Sequence, residues 1–124
     1  MPEPLRSLRL AGIAAVIFMV AGCGHTEGVG ASRTLQLGLT EYRLTPENAR
    51  VSAGVLTIVV HNYGVLTHNL VVSSNGQTVD STQPIWPGQT TELSLSLAPG
   101  DYQMASTIQA DQALGEYGTL RVTS

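Results

Sequence analysis

Apolar residues in this chain alternate with polar ones at period two, in short blocks, and almost nowhere at the 3.6 period of a helix. Leu35, Leu37 and Leu39 are interleaved with Gln36, Gly38 and Thr40. Leu56, Ile58 and Val60 alternate with Thr57, Val59 and His61, and Leu93, Leu95 and Leu97 with Ser94 and Ser96. Leu70 with Val72, Tyr102 with Met104 and Ser106, and Leu120 with Val122 complete the set. Turn signals separate the blocks: Ala53-Gly54, Tyr63-Gly64, Asn75-Gly76, Pro87-Gly88 and Pro99-Gly100. About seven short strands in about a hundred residues predict an all-β fold, an antiparallel sandwich or Greek-key barrel.

The N-terminal part follows another logic. Arg6 and Arg9 precede an uncharged run from Leu10 to Gly24. A basic start, an apolar stretch and small residues before a cut site make a secretory signal. The run is about 15 residues, short of the roughly 20 that a spanning helix needs. Val20-Ala21-Gly22-Cys23 resembles the lipobox of bacterial lipoproteins, and Cys23 is the only cysteine of the chain. That resemblance implies a signal peptide over 1–22, cleavage before Cys23, and acyl chains such as palmitate on its thiol. It implies an exported protein held on the outer face of the cell membrane, since two acyl chains anchor stably where one is marginal. A thioether-linked Cys23 has no thiolate to offer a metal. Residues 23–32 are small and polar and read as a flexible tether; His25 lies there and receives no role. The domain is then expected over 33–124.

Past residue 22 the chain carries four arginines, no lysine and eight carboxylates. A mildly acidic, lysine-free surface argues against nucleic acid and against a polybasic membrane patch. The expected partners are the membrane, through Cys23, and an envelope protein, for a domain that is otherwise a monomer.

Five stretches, in order, carry a family likeness. Tyr42-Arg43-Leu44-Thr45-Pro46 leads to a Gly54 turn; Leu56 to Asn62 ends in Asn and is followed by Thr67-His68-Asn69-Leu70. Trp86-Pro87-Gly88 and Ala98-Pro99-Gly100-Asp101-Tyr102 are turns ahead of strands, and Gly115-Glu116-Tyr117-Gly118 opens the last strand. Together they resemble cupredoxins, the small blue-copper proteins, over about 33–124. The resemblance implies a Greek-key sandwich whose copper sits at one pole, held by two His, one Cys and an axial Met. His68 matches the first His. On a Cys-x4-His-x4-Met spacing, Ser106 falls at the Cys position, Asp111 at the second His and Glu116 at the Met.

One ligand of four therefore survives and the thiolate is missing, so type 1 copper electron transfer by this chain alone is not expected. Every lost ligand is replaced by an oxygen-bearing residue. His68, Asp111 and Glu116 form a harder donor set, suited to Cu(II), Zn(II), Mn(II) or Fe(II) over Cu(I). One reading is thus a non-blue metal-binding module concerned with copper. The other is a metal-free interaction module, in which Ser106, Asp111 and Glu116 are ordinary water-facing loop residues. Ser106, His68 and Asp111 also make a triad on paper, but no motif signals the required hydrogen-bond order or an oxyanion hole; no enzyme activity is expected. His61 is expected on the outer face of its strand, Met104 in the core, and Trp86 and Tyr63 as lids over the core.

Overall fold

The structure, a computed structural model, describes residues 26–124; the signal segment and Cys23 lie outside the described residues. Ten strands build it: β1 (Thr26–Gly28), β2 (Thr34–Thr40), β3 (Arg43–Thr45), β4 (Asn48–Ser52), β5 (Gly54–Asn62), β6 (Val71–Ser74), β7 (Gln77–Ser81), β8 (Thr90–Leu97), β9 (Gly100–Ala105) and β10 (Tyr117–Thr123). One sheet has the order β1-β4-β10-β9-β6-β7 and the other β3-β2-β5-β8. The all-β two-sheet class holds.

Two expectations need correcting. The strands number ten rather than about seven, because β1, β3 and β7 are short or solvent-facing and carry too little alternation to read in sequence. The sheets are mixed rather than antiparallel: β1 with β4, β4 with β10, and β2 with β5 run parallel. The chain crosses between sheets from β3 to β4 and back at β5, so spatial neighbours are not sequence neighbours.

The stretch 23–32 is also not a free tether throughout. Thr26–Gly28 pairs with β4, the Val29 N–H donates to the Arg50 carbonyl at 2.9 Å, and Val29 packs against the core. The open edge of β4 captures it.

The period-two residues meet between the sheets as expected. Leu35, Leu37 and Leu39 of β2, Leu56, Ile58 and Val60 of β5, and Leu93, Leu95 and Leu97 of β8 bury against Val51, Val72, Met104, Leu120 and Val122 of the other sheet. Each such side chain contributes about 1.5–3 kcal/mol on leaving water. The Asn75-Gly76 turn between β6 and β7 has both residues at positive φ, 50° and 80°, as a primed hairpin turn requires. Gly118 is needed at the start of β10, because a Cβ there would land on the Glu47 carbonyl.

At one pole of the sandwich four connections converge. They are the tight β2–β3 turn, the segment from β5 to β6, the segment from β7 to β8, and the loop from β9 to β10. The opposite pole is tied by Arg33, whose guanidinium donates to Val55 O, Ser52 Oγ and Ser52 O at 2.6–2.8 Å.

Candidate metal centre

His68 is seated by an isolated bridge to Ile85, with N–H···O bonds of 3.1 and 2.7 Å in the two directions. This turns its ring into the pole, fully buried. The β9–β10 loop folds back on itself: Ser106 N–H donates to Glu116 O and Glu116 N–H to Asp111 O, both at 3.0 Å. That closure brings Ser106, Asp111 and Glu116 onto the imidazole, all three buried. The four positions singled out by the family spacing thus meet in space.

His68 Nδ1 lies 2.7 Å from Asp111 Oδ2 and 3.4 Å from Glu116 Oε1. Nε2 lies 2.9 Å from Glu41 Oε2. Ionised carboxylates only accept, so both ring nitrogens donate and the ring is an imidazolium. Burial opposes that charge most strongly, but the bonds to Glu41 and Asp111 and the nearby Glu116 outweigh it, and the His68 pKa is raised above 6.5.

Ser106 Oγ donates to Asp111 Oδ2 at 2.7 Å and accepts the Asn69 N–H at 3.2 Å. Asn69 Oδ1 in turn holds the Thr107 N–H at 2.7 Å. Asp111 therefore receives two short bonds on one oxygen. In a hydrolytic triad the His stands between Ser and Asp; here Asp111 stands between Ser106 and His68, an order that leaves Ser106 without a base.

Glu41 was not visible as a site residue in the sequence. It stands in the β2–β3 turn, where Tyr42 takes φ 83°. Its Oε2 accepts from Val65 and Leu66 N–H, each at 3.0 Å, as well as from His68. The bond from His68 pulls its carboxyl below 4.5, burial acts the other way, and the two amides add to the lowering. Gly64 makes room for it, since a Cβ there would collide with the Glu41 carboxylate.

Glu116 is the uncompensated member. Its Oε1 accepts the Tyr42 N–H at 3.3 Å, and its buried Oε2 has no partner. Burial pushes its carboxyl up to about 7, with His68 pulling down and Asp111 adding to the rise.

The remaining candidates lie elsewhere. His61, on the outer face of β5, bonds Gln36 Oε1 at 2.7 Å and Thr90 Oγ1 at 3.0 Å and stacks on Tyr63 with ring centres 5.4 Å apart. Met104 is in the core. Tyr63 and Trp86 are not lids over the core: they are 69% and 64% exposed. Their loops cross the pole with backbone and Asn62 turned inward, which leaves the rings in solvent.

The family profile of the cupredoxin-like domain matches residues 11–117. The chain belongs to that family. Comparison with curated protein sequences finds no match. Among solved structures the domain is similar to auracyanin from Roseiflexus castenholzii, at 20% identity and a TM-score of 0.70 over 77% of this chain and 100% of that one. It is similar to auracyanin A of Chloroflexus aurantiacus, described as a "blue" copper protein, at 19% identity and a TM-score of 0.66, covering 77% of this chain and 99% of that one. Rusticyanin of Thiobacillus ferrooxidans matches at 12% identity with a TM-score of 0.65, covering 79% and 82%. At these identities the likeness carries the fold alone.

The cupredoxin-like domain here does not fit a type 1 copper ion. Ser106 replaces the thiolate, and its hydroxyl is committed to Asp111. The donors do fit a harder divalent ion: one ligand atom each from His68, Asp111 and Glu116 lie within 4.8 Å of one another, all buried. Glu116 Oε2 offers a buried lone pair that no other described residue uses.

Proposed function

We propose that the chain is an envelope lipoprotein, anchored through Cys23, whose cupredoxin-like domain binds a divalent metal ion without type 1 chemistry and without catalysis. The residues that would hold it are His68 through Nδ1, Asp111 and Glu116. The observation that supports this most is the orphaned, buried Glu116 Oε2, on a side chain that offers a ligand atom within 4.8 Å of those of His68 and Asp111. A buried polar atom left unpaired costs about 1–3 kcal/mol, and a bound cation would satisfy it. Charge points the same way: three carboxylates face one imidazolium, and a divalent ion would offset the surplus. His68 would release its Nδ1 proton on binding. Its Nε2–H would stay donated to Glu41, which fixes the ring and makes Nδ1 a better donor. When bound, the ion supplies a filled, oxygen-rich centre of fixed charge rather than a copper–thiolate chromophore. Copper is the first candidate, because auracyanin A is described as a "blue" copper protein.

A second reading has its own observation. Both His68 nitrogens and the facing Asp111 oxygen are already paired, so the cluster can serve as a metal-free clasp that shapes the pole for a partner. Calorimetric titration of residues 26–124 with Cu(II) and Zn(II), beside His68→Ala, decides between them. Submicromolar binding that is lost in the variant, with no intense visible absorption, is expected for the metal centre. Binding no tighter than millimolar, with an unchanged melting temperature, would refute it and leave the clasp.

A further inference from the structure

Nine large apolar side chains are exposed among the described residues, and seven of them crowd the pole that carries His68. Tyr63, Val65, Leu66, Trp86 and Leu114 stand in its loops, and Tyr42 and Tyr117 at the strand ends beside them. The three long connections of this pole, 63–70, 82–89 and 106–116, expose no charged side chain: their ionisable members His68, Asp111 and Glu116 are all buried. Charge enters only at the β2–β3 turn, with Glu41 26% exposed and Arg43 beside Tyr42. A solvent-facing loop surface so largely apolar and aromatic is unusual for a soluble monomer. Trp and Tyr are the side chains that favour a membrane interface.

The topology says which surface lies opposite. β1 and β10 both pair in parallel with β4, and Thr26 and Thr119 share the partner Asn48. Both strands run away from the His68 pole, so Thr26 is the end of β1 nearer that pole. Thr26 is level with Thr119, two residues below Tyr117, a rise of about 7 Å. Two residues, Gly24 and His25, separate Thr26 from Cys23, and the three Cα-to-Cα steps span at most about 10 Å. Acyl chains on Cys23 would then enter a bilayer whose surface lies within one short tether of the apolar rim. No route of that length reaches a membrane facing the opposite pole.

We infer that the apolar pole rests on the bilayer into which the Cys23 acyl chains insert, with Trp86, Tyr63, Val65, Leu66 and Leu114 at the lipid interface. The domain lies on the membrane with its His68 centre towards the lipid, instead of swinging free on a tether. This rests on the lipoprotein reading above and adds an orientation to it. Exposed charge at this pole is confined to its edge, at Glu41 and Arg43, and forms no basic patch that would need an anionic lipid, so zwitterionic bilayers suffice.

Trp86 is the only tryptophan of the chain and reports on its own surroundings. The test uses the full chain made in a lipidating bacterial host and reconstituted into phosphatidylcholine vesicles, some with brominated acyl chains. Cys23→Ser in solution is the reference. The expected result is a blue-shifted Trp86 emission, quenching by lipid bromine, and a several-fold loss of quenching by aqueous iodide. Val65→Asp with Leu114→Asp is expected to stay on the vesicles, keep its melting temperature and lose this protection. Lipid-bound wild type whose Trp86 remains open to iodide and blind to bromine overturns the docking while the anchor stands, and assigns the pole to a protein partner. A chain that does not float with the vesicles overturns both, and the fault then lies with the anchor.

Discussion

Glu116→Gln probes the charge balance of the centre directly. Glu116 is fully buried, its Oε2 is unpartnered, and its carboxyl titrates at about 7 against 4.5 for an ordinary glutamate. The unfolded chain loses this proton near pH 4.5 and the folded chain near 7. Between the two the native state holds more protons than the unfolded one, so stability falls as pH rises. The contribution is intact below 4.5 and gone above 7. At about 1.4 kcal/mol per pH unit the interval is worth roughly 3 kcal/mol. Glutamine keeps the acceptor for Tyr42 N–H, removes the charge and buries an amide N–H₂, which returns about 1 kcal/mol. Metal-free Glu116→Gln is therefore expected to be about 2 kcal/mol more stable than wild type at pH 8.5, and to lose that advantage by pH 4.5. Urea unfolding followed by far-ultraviolet circular dichroism, with chelator present, measures both. Saturating Zn(II) should reverse the ranking at pH 8.5, because an ion rewards the ionised carboxylate. An advantage of equal size at both pH values, or a more stable metal-free wild type at pH 8.5, would refute the buried-charge argument.

Other expectations are more local. His68→Ala removes the one cation that faces Glu41, Asp111 and Glu116 among the described residues, and should cost about 3–5 kcal/mol in urea unfolding at neutral pH; a loss under 1 kcal/mol would mean the carboxylates are solvated. Gly64→Ala drives a methyl into the Glu41 carboxylate, so the His68 pKa, followed by imidazole proton resonances, should fall towards its ordinary value; an unmoved titration counts against Glu41 as the holder of Nε2. Met104→Ala, a core truncation at a fully buried site, should cost about 2–5 kcal/mol and leave any metal affinity unchanged within error of a titration.

The four-stranded sheet is readable because Leu35 to Leu39, Leu56 to Val60 and Leu93 to Leu97 each have one dry face, and period two leaves no other way to bury it; the other sheet shows itself through the shorter alternations Leu70 with Val72, Tyr102 with Met104 and Leu120 with Val122. β1 and β3 were not readable, because three residues on an edge draw their stability from backbone pairing that any sequence can make. At the site, Ser106, Asp111 and Glu116 came from counting along one loop, and the loop does close them onto His68. Glu41 escaped that count because its place depends on a tight turn from another sheet and on a glycine gap at Gly64. Trp86 and Tyr63 were misjudged because large apolar residues default to the interior, whereas here Asn62 fills the inside of the pole with hydrogen bonds to Leu66 O and Ile85 O.

The oxygen-bearing residues at the pole act as one set rather than as separate losses. Asp111 accepts from His68 and from Ser106, Ser106 accepts from Asn69, and Glu41 takes the far nitrogen of the same ring. Returning a single position to a soft ligand would break this chain of donors: a thiol at 106 donates weakly to Asp111, and an imidazole at 111 would face His68 with no carboxylate between them. The cluster is thus internally consistent as an oxygen-rich site, with one exception. Among the buried side chains of the described residues only Glu116 Oε2 lacks a partner, and Glu116 offers a ligand atom within 4.8 Å of those of His68 and Asp111. A fold that had merely filled this pole with surface residues would leave them exposed, whereas His68, Ser106, Asp111 and Glu116 are all buried. Such burial is what the proposed cation site needs, since an ion there would take up the lone pair of Glu116 Oε2.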